Sequence, residues 1–252
     1  MTAPVFVVDP LELPDFCGGE LVLDGPEGRH AVSVKRLRPG EEVVLTDGRG
    51  HFVDGFVKAA EAKDRLVVCG LETVLEEPPE QPRITVVQAL PKGDRGELAV
   101  ETMTETGVDA IVPWAASRCI TQWKGDRGAK ALAKWRATAR EAGKQSRRVR
   151  FPEVAEAATT KQVAALLGQA DFAAVLHEDR AYGSAALATA ELPADGEIVL
   201  VVGPEGGVSP EELALFAEAG ATAYRLGRTV LRTSTAGTAA TALLLGRTGR
   251  WS

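Results

Sequence analysis

The stretch that most constrains the fold is an apolar run that stops at a glycine-rich turn. Branched apolar residues occupy Ile198–Val202, and the turn begins at Gly203. Ser209 suits a helix N-cap, Pro210 the first helical position, and Glu212 completes a capping box. The stretch therefore predicts a buried strand, a turn with available backbone N–H groups and a helix start, where open α/β sheets bind ligands. An ordinary strand-to-helix loop needs the same glycines and stays an alternative.

A second stretch repeats the arrangement and favours the ligand site. Tyr224–Gly227 reads as a short strand ended by glycine, Arg228–Thr235 as a loop and Ala236–Leu245 as a helix. Two such loops can lie side by side on one sheet edge. Their glycine spacing matches neither a dinucleotide fingerprint nor a phosphate-binding P-loop, and Leu90–Gly96 after the first α/β strand lacks GxGxxG. This excludes the common nucleotide-binding oxidoreductases.

Composition indicates an ordinary globular protein of 252 residues, with 45% hydrophobic and 25% charged residues. The three cysteines and three histidines are scattered. We therefore expect no metal site and no disulfide framework, which indicates a reducing cytoplasm. No stretch has the length of a membrane span, and the first ten residues lack the pattern of a signal peptide.

Positive charge is concentrated in one segment of an acidic chain. The net charge is −6, but residues 124–151 hold ten Lys or Arg against two acidic residues. Such a basic stripe suits a local contact with a phosphate backbone. The alternative is a solvated helix face without a partner.

The pattern of predicted strands and helices changes along the chain and indicates two domains. Residues 1–75 hold short β-prone runs, typical of a small barrel, and a basic helix over Pro26–Leu37. Residues 76–82 read as a proline-rich linker, and strands alternate with helices over 83–252, which predicts a parallel sheet with helices on both faces. The last helix, Thr235–Leu245, has no polar face, which favours a subunit interface as well as a core. Burial wholly within one protomer is the alternative.

These two loops carry a family resemblance. GPEGGVSPEEL at 203–213 and LGRTVLRTSTAGTAA at 226–240 resemble the SPOUT superfamily of S-adenosylmethionine-dependent RNA methyltransferases. Within it, the chain is similar to the family that makes 3-methyluridine in small-subunit (16S) ribosomal RNA. Other matching stretches are His30–Gly40, Thr46–Gly48, Lys92–Glu97, Thr106–Pro113 and Trp135–Ser146. The family usually has Lys and Leu at Thr102 and Thr106, often Gly at Arg147 and often an acidic residue at Lys144.

The resemblance implies an α/β SPOUT domain over 83–252 with a C-terminal trefoil knot, after a PUA-like RNA-binding β-barrel over 1–75. Periodicity alone would predict an ordinary doubly wound sheet. The implied partners are a second copy of the chain and ribosomal RNA, in the assembled small subunit, with no membrane and no metal. A non-catalytic RNA-binding or ribosome-assembly factor, and a SPOUT methyltransferase for another RNA, remain alternatives.

The cofactor contacts predicted for S-adenosylmethionine come from three strand ends and their loops. They are Leu176, His177, Gly203, Pro204, Glu205, Gly206, Gly207, Leu226, Gly227, Leu231, Arg232 and Thr235.

Two residues are candidates for catalysis. Methylation of uracil N3 removes a proton and makes the ring anionic, so a nearby guanidinium would help. Arg232 is the first candidate, with an ion pair to Glu205 as its structural alternative. Glu205 could accept the proton, but an ordinary Glu is a poor base for it and a role in ordering the turn is favoured.

The predicted RNA contacts are basic residues of the N-terminal helix, of the loops near the site and of the basic stripe. They are Arg29, Lys35, Arg36, Arg38, Lys92, Arg95, Arg118, Arg136, Arg140, Lys144, Arg147, Arg148 and Arg150. Among them, Lys92, Arg95 and Arg118 are the next candidates for the catalytic cation.

Overall fold

The computed structural model describes residues 3–8, 19–70, 73–178 and 185–251. It divides into two compact units. The first comprises Met1–Pro79 and Gly143–Phe151, and the second comprises Glu80–Ala142 and Pro152–Ser252. The chain first passes between the units near the expected linker, but the sequence did not indicate that 143–151 joins the first unit. Cys17 lies outside the described residues.

The first unit is built on a six-stranded sheet. Its strands are β1 Val5–Val7, β2 Glu20–Leu23, β3 Glu42–Thr46, β4 His51–Ala62, β5 Arg65–Gly70 and β6 Leu75–Glu76. The order is β1-β3-β4-β5-β2, with β6 beside β4, and only β1 and β3 pair in parallel. Alternating residues of the strands, such as Leu45, Val53 and Leu66, form a core with Phe6. The β-prone runs of the sequence overlap β1 to β5, although β4 is longer than its run, and no run was predicted at β6.

The helix of the first unit is shorter and less regular than the sequence predicted. An α-helix, α1 Gly25–Arg29, passes into a π-helical turn at His30–Val34. Arg36 then has φ +56°, which ends the helix before Leu37. The α1 backbone presses against the turn between β4 and β5, because a β-carbon at Gly28 would overlap the carbonyl oxygen of Asp64. This packing could not be read from the apolar pattern.

The second unit holds a seven-stranded sheet in which every pairing is parallel. The strands are β7 Arg83–Ala89, β8 Ala110–Trp114, β9 Glu153–Val154, β10 Phe172–Leu176, β11 Ala185–Ala186, β12 Glu197–Val202 and β13 Thr222–Arg225. The helices are α2 Arg95–Thr106, α3 Gly125–Gln145, α4 Thr160–Leu167, α5 Pro210–Glu218 and α6 Thr233–Thr248, and the last three residues of α3 are counted with the first unit. The strand order is β11-β13-β10-β12-β7-β8-β9, which confirms the predicted parallel α/β sheet.

Helices cover both faces of this sheet. Along β12, Ile198 and Leu200 join a core with α2, α3 and α6, whereas Val199 and Val201 join a second core with α4 and α5. The run is continuously apolar because successive side chains enter opposite faces and both faces are buried. The alternation of strands and helices in the sequence therefore correctly predicted a sheet with helices on both faces.

The last helix is buried on one side only. Ala240 and Leu244 lie in the core, while Ala239 and Leu243 on other faces are partly exposed. Complete burial within one protomer is therefore wrong. The knot stays a prediction that rests on the resemblance.

Gly96→Ala is expected to destabilise the protein. A β-carbon at this position in α2 would lie 2.7 Å from Cζ2 of the buried Trp135. Overpacking of this kind costs about 1–3 kcal/mol. Urea unfolding followed by tryptophan fluorescence measures the change.

Gly246→Ala is the matched control, because this glycine also lies in a helix but a β-carbon there would meet nothing within 4 Å. It should raise the free energy of unfolding by about 0.5–1 kcal/mol, since alanine restricts the unfolded chain. Equal losses in both variants would show that the space beside Trp135 does not decide the effect.

Candidate functional site

The parallel pairing brings three strand ends to one edge of the sheet. β10 lies between β12 and β13, with Val175 opposite Val201 and Leu176 opposite Tyr224. The residues that follow these strands enclose a cleft of about 440 Å³. Such a volume is typical of sites for small molecules. The predicted ligand edge is therefore an open cleft within the second unit.

Most of the predicted cofactor residues line this cleft. The exceptions are Gly206 and Thr235. The carbonyl of Gly206 accepts a hydrogen bond from Arg118 at 3.1 Å, and the hydroxyl of Thr235 turns back to the carbonyl of Arg232 at 3.2 Å. Arg95, which the sequence predicted as an RNA contact and a further candidate for the catalytic cation, also lines the cleft. The sequence did not predict the lining residues Tyr224, Arg225, Arg228, Thr233 and Ala236. Tyr224 and Arg225 belong to β13 Thr222–Arg225, which begins and ends two residues before the strand predicted over Tyr224–Gly227. Because this strand was identified, Tyr224 could have been included.

The glycine turn is held by its own backbone and by the next loop. Gly207 has φ +72° and donates its N–H to the carbonyl of Pro204 at 2.8 Å, a conformation that favours glycine. The hydroxyl of Thr233, at the start of α6, donates to the carbonyl of Gly203. The two loops that the sequence singled out are thus joined directly.

Glu205 is engaged with the loop after β7. Its Oε1 accepts the backbone N–H of Lys92 at 3.2 Å and lies 4.0 Å from Nη1 of Arg95. This arrangement agrees with the structural role favoured from the sequence. The alternative ion pair between Glu205 and Arg232 does not form.

Arg232 is the N-cap residue of α6 and lines the cleft. Its carbonyl accepts the backbone N–H groups of Thr235 and Ala236, both at 2.9 Å, so the main chain is fixed. Its exposed guanidinium has no hydrogen bond or ion pair within the described part of the chain. A cation with a fixed backbone and an uncommitted head group is therefore available to a ligand.

A buried carboxylate holds the helix start and a neighbouring loop. Glu212 is 5% exposed, and its Oε2 accepts the N–H of Ser209 at 3.1 Å in the predicted capping box. Its Oε1 accepts the N–H of Ser117 at 2.8 Å and the hydroxyl of Thr160 at 3.1 Å. The sequence predicted the cap, but not these two long-range bonds. Because Ser117 precedes Arg118, Glu212 also fixes the loop that reaches Gly206.

Most of the basic stripe is engaged in the structure. In the second unit, the Arg136 guanidinium bonds the carbonyl of Val154 at 3.0 Å and Glu156 at 3.0 Å. Arg140 is exposed and also has a partner. Part of the charge density therefore serves local structure.

The rest of the stripe belongs to the first unit. Lys144 is 4% exposed and pairs with Glu27 at 3.0 Å, so its ammonium is not available to a phosphate. Arg148 bonds the carbonyl of Arg150 at 2.9 Å, and Arg150 bonds the carbonyl of Glu77 at 2.6 Å. Of these residues, only Arg147 has a side chain without a partner among the described residues.

The other predicted RNA contacts are exposed in their own units. In the first unit they are Arg29, Lys35, Arg36 and Arg38, and in the second they are Lys92 and Arg118, with Arg95 half-buried. Within the described ranges, no cluster of His, Cys, Asp or Glu could hold a metal ion. No helix in that part of the chain is long and apolar enough to cross a membrane.

Comparison with known proteins identifies the family. The profile of the RNA methyltransferase domain matches residues 78–245, and that of the RNA methyltransferase PUA domain matches residues 23–68. A relative from Mycobacterium tuberculosis, ribosomal RNA small subunit methyltransferase E, is 44% identical over 256 aligned residues, which cover 100% of this chain and 94% of the relative. The protein of the same name from Bacillus subtilis is 27% identical over 85% of each chain. The chain belongs to this family of RNA methyltransferases.

Solved structures share the fold over 98% of the chain. The Neisseria gonorrhoeae ribosomal RNA small subunit methyltransferase E, bound to S-adenosyl methionine, is 29% identical with a TM-score of 0.81 and 98% of each chain covered. A Legionella pneumophila methyltransferase in complex with SAM is 26% identical with a TM-score of 0.84 and the same coverage. The expected combination of a PUA domain and a SPOUT-like parallel sheet is confirmed.

Glu212→Gln is expected to lower the free energy of unfolding by about 1–3 kcal/mol. The amide keeps one acceptor oxygen, whereas the buried carboxylate satisfies three donors, and hydrogen bonds to charged groups contribute about 1.5–3 kcal/mol each. Guanidinium chloride unfolding measures the loss.

Glu211→Gln, one residue earlier, is the matched control. Hydrogen bonds from its own backbone N–H and from the Ser209 hydroxyl lower the pKa of Glu211, but unlike Glu212 it is exposed. Its replacement should lower the free energy of unfolding by less than the replacement of Glu212, because solvent weakens interactions of an exposed carboxylate. Similar losses in both variants would mean that charge at the helix N-terminus, and not the buried network, is responsible.

Proposed function

We propose that the protein transfers a methyl group from S-adenosylmethionine to N3 of a uridine in small-subunit (16S) ribosomal RNA. The observation that carries the proposal is the cleft formed by the ends of β10, β12 and β13 in a chain of the RNA methyltransferase family. Relatives whose names specify small-subunit ribosomal RNA support the substrate, and related structures that hold SAM support the cofactor.

The residues of the cleft fit S-adenosylmethionine. Leu176, Leu226 and Leu231 provide apolar surface for an adenine ring, and the turn at 203–207 offers backbone groups at its glycines. Most sites for small molecules combine an apolar lining with a few polar groups in this way. When bound, the cofactor supplies a methyl group on a positively charged sulfur.

Arg232 stabilises the uracil as it reacts. The N3 proton passes to solvent water, and the negative charge left on the ring spreads to the two carbonyl oxygens. N3 would then bond to the methyl carbon as the bond from that carbon to the cofactor sulfur breaks, which leaves the sulfur neutral. A guanidinium remains charged at any working pH and can hold such an oxygen through two N–H groups. Because the backbone of Arg232 is fixed by α6, little reorganisation is needed during the reaction.

Glu205 and Arg95 support this site and do not carry out proton transfer. The bond from Lys92 N–H to Glu205 keeps the turn at 203–207 beside the loop after β7. Loss of Glu205 would therefore weaken cofactor binding, and it would not remove a proton acceptor.

RNA binding uses the basic residues that remain available. Arg147 gives the strongest support for this role. It occupies a left-handed backbone conformation, φ +64°, just after α3 ends at Gln145. Helices commonly end there with glycine, which has no steric penalty. The side chain of Arg147 has no partner among the described residues, so an arginine at such a position supports a role for that side chain.

The protein acts as a homodimer on assembled small subunits in the cytoplasm, and its C-terminus forms the trefoil knot. Partly exposed small and apolar residues of α6, such as Ala239 and Leu243, support a second copy as the partner. The scattered cysteines and a ribosomal RNA substrate support the compartment.

Arg232→Ala should slow methyl transfer while S-adenosylmethionine still binds. Removing one preorganised electrostatic donor lowers turnover by about 10²–10³-fold. Cofactor affinity should change only a few-fold, because the charge that Arg232 stabilises develops during transfer. Calorimetry of the cofactor and single-turnover methylation of unmethylated small subunits measure the two effects. Equal losses in both would make Arg232 part of the cofactor scaffold.

Gly207→Val is the contrasting variant. Valine is strained at φ +72°, so the turn should rearrange and cofactor binding should be lost together with activity. Arg232→Lys should recover little of the rate, because an ammonium cannot reproduce the two-pronged contact.

Arg147→Gly should have opposite effects on stability and on RNA binding. Relief of the left-handed conformation should raise the free energy of unfolding by about 1 kcal/mol. Loss of a phosphate contact should weaken binding to small subunits and reduce the slope of log affinity against log salt by about one. Thermal unfolding and binding at several salt concentrations measure both.

Arg147→Lys is the control, because it keeps the charge and the strained backbone. It should retain most RNA affinity and gain no stability. A stabilised Arg147→Gly variant with an unchanged salt slope would show that Arg147 does not contact RNA.

A further inference from the structure

A second pocket lies in the first unit, separate from the cofactor cleft. Its volume is about 480 Å³, within the range of roughly 300–1,000 Å³ that is typical of ligand sites. It lies between the α1–π-helical segment and the turn that joins β4 to β5. The lining residues are Gly25, Pro26, Arg29, His30, Val34 and Asp64.

The two walls of this pocket are fastened to each other. The α1 backbone at Gly28 touches the carbonyl of Asp64 so closely that no β-carbon would fit. The hydroxyl of Ser33 donates to the carbonyl of Lys63 at 2.6 Å. The pocket is therefore formed before any ligand binds, which reduces the entropy cost of binding.

The apolar part of the lining suits a flat ring. Val34 is 66% exposed although it is apolar, and Pro26 is a further exposed apolar residue of the lining. The ring of His30 is held edge-to-face by Phe6, with centroids 6.1 Å apart. Proteins that bind unpaired RNA bases combine such apolar and aromatic surfaces with polar groups for the base edge.

Two opposite charges line the same pocket without pairing. Arg29 and Asp64 are both exposed, and neither side chain has a hydrogen bond or ion pair within the described residues, including one with the other. A carboxylate accepts two parallel N–H bonds, and a guanidinium donates two. A ligand with two adjacent donors on one side and acceptors on the other would satisfy both.

We propose that this pocket binds one unpaired guanine base of the RNA substrate. Guanine N1–H and N2–H donate hydrogen bonds to the Asp64 carboxylate, and guanine O6 and N7 accept hydrogen bonds from the Arg29 guanidinium. Adenine and uracil lack two adjacent donors, and cytosine offers only its N4 amino group. The choice of RNA as the source of the base rests on the proposed function, because a methyltransferase that acts on RNA meets such bases in loops.

The first measurement is the base preference of the whole protein. Five-residue RNAs that carry one guanosine, inosine, adenosine or cytidine among uridines are titrated by fluorescence anisotropy. We expect the guanosine RNA to bind about tenfold more tightly than the adenosine and cytidine RNAs, with inosine between them because it lacks the N2 amino group. A preference below twofold, or one for cytidine, would overturn the proposal.

The second measurement uses variants of the two charged residues. Asp64→Asn and Arg29→Met should each reduce the guanosine preference to about the level of the adenosine RNA. Asp54→Asn is the matched control on β4, because Asp54 is an exposed aspartate outside the pocket. The control should keep the preference, and an equal loss in it would overturn the proposal. Thermal unfolding confirms that each variant is folded.

Two further measurements test whether the base comes from RNA or from a free nucleotide, and whether base binding is independent of the proposed function. Guanosine monophosphate alone should bind more weakly than the guanosine RNA, since neighbouring phosphates add contacts; tighter binding of the free nucleotide would overturn RNA as the source. Methylation of small subunits by the wild-type protein is measured separately. One outcome is that the protein prefers the guanosine RNA, and loses that preference in Asp64→Asn, without methylating small subunits. That result would overturn the proposed function and support guanine binding in the pocket.

Discussion

The constraint on which the site depends is the parallel pairing of β10 with β12 and β13. Parallel strands all end at the same edge, so three loops that are distant in the sequence meet without any loop having to be long. The register aligns Leu176 with Tyr224, and the next residue, His177, donates its N–H to the carbonyl of Tyr224 at 2.9 Å. The cleft is therefore a property of the sheet, and the loops supply its chemistry.

Carboxylates and arginines have different tasks around this edge. Glu205 and Glu212 both accept backbone N–H groups from loops outside the glycine turn, one from the loop after β7 and the other from the loop after β8. Their charges are satisfied by these bonds, so they hold the shape of the site. Arg232 has no such bond within the described residues, which leaves its guanidinium available for charge that develops in a substrate.

The basic segment shows why charge density alone is a weak guide to a nucleic-acid surface. Lys144 and Arg150 contribute to the same count of positive residues, yet one is buried against Glu27 and the other bonds a backbone carbonyl. Burying an ammonium is tolerable only when a partner is present, and the partner lies 117 positions away in the sequence. The surface that can reach RNA phosphates is therefore smaller than the sequence indicated.

The sequence by itself determined the elements and most of the site. The apolar run at 198–202, the capping box at Ser209 and the glycine turn follow local rules of burial, hydrogen bonding and backbone conformation, so they could be read directly. Tertiary structure decided what depends on distant partners: the bonds of Glu212 to Ser117 and Thr160, the burial of Lys144, and the entry of Arg95 into the cleft. The π-helical turn at 30–34 was also not indicated by the sequence, and it follows α1, whose backbone packs against the β4–β5 turn. These features are set by which surfaces meet, and local periodicity carries no information about that.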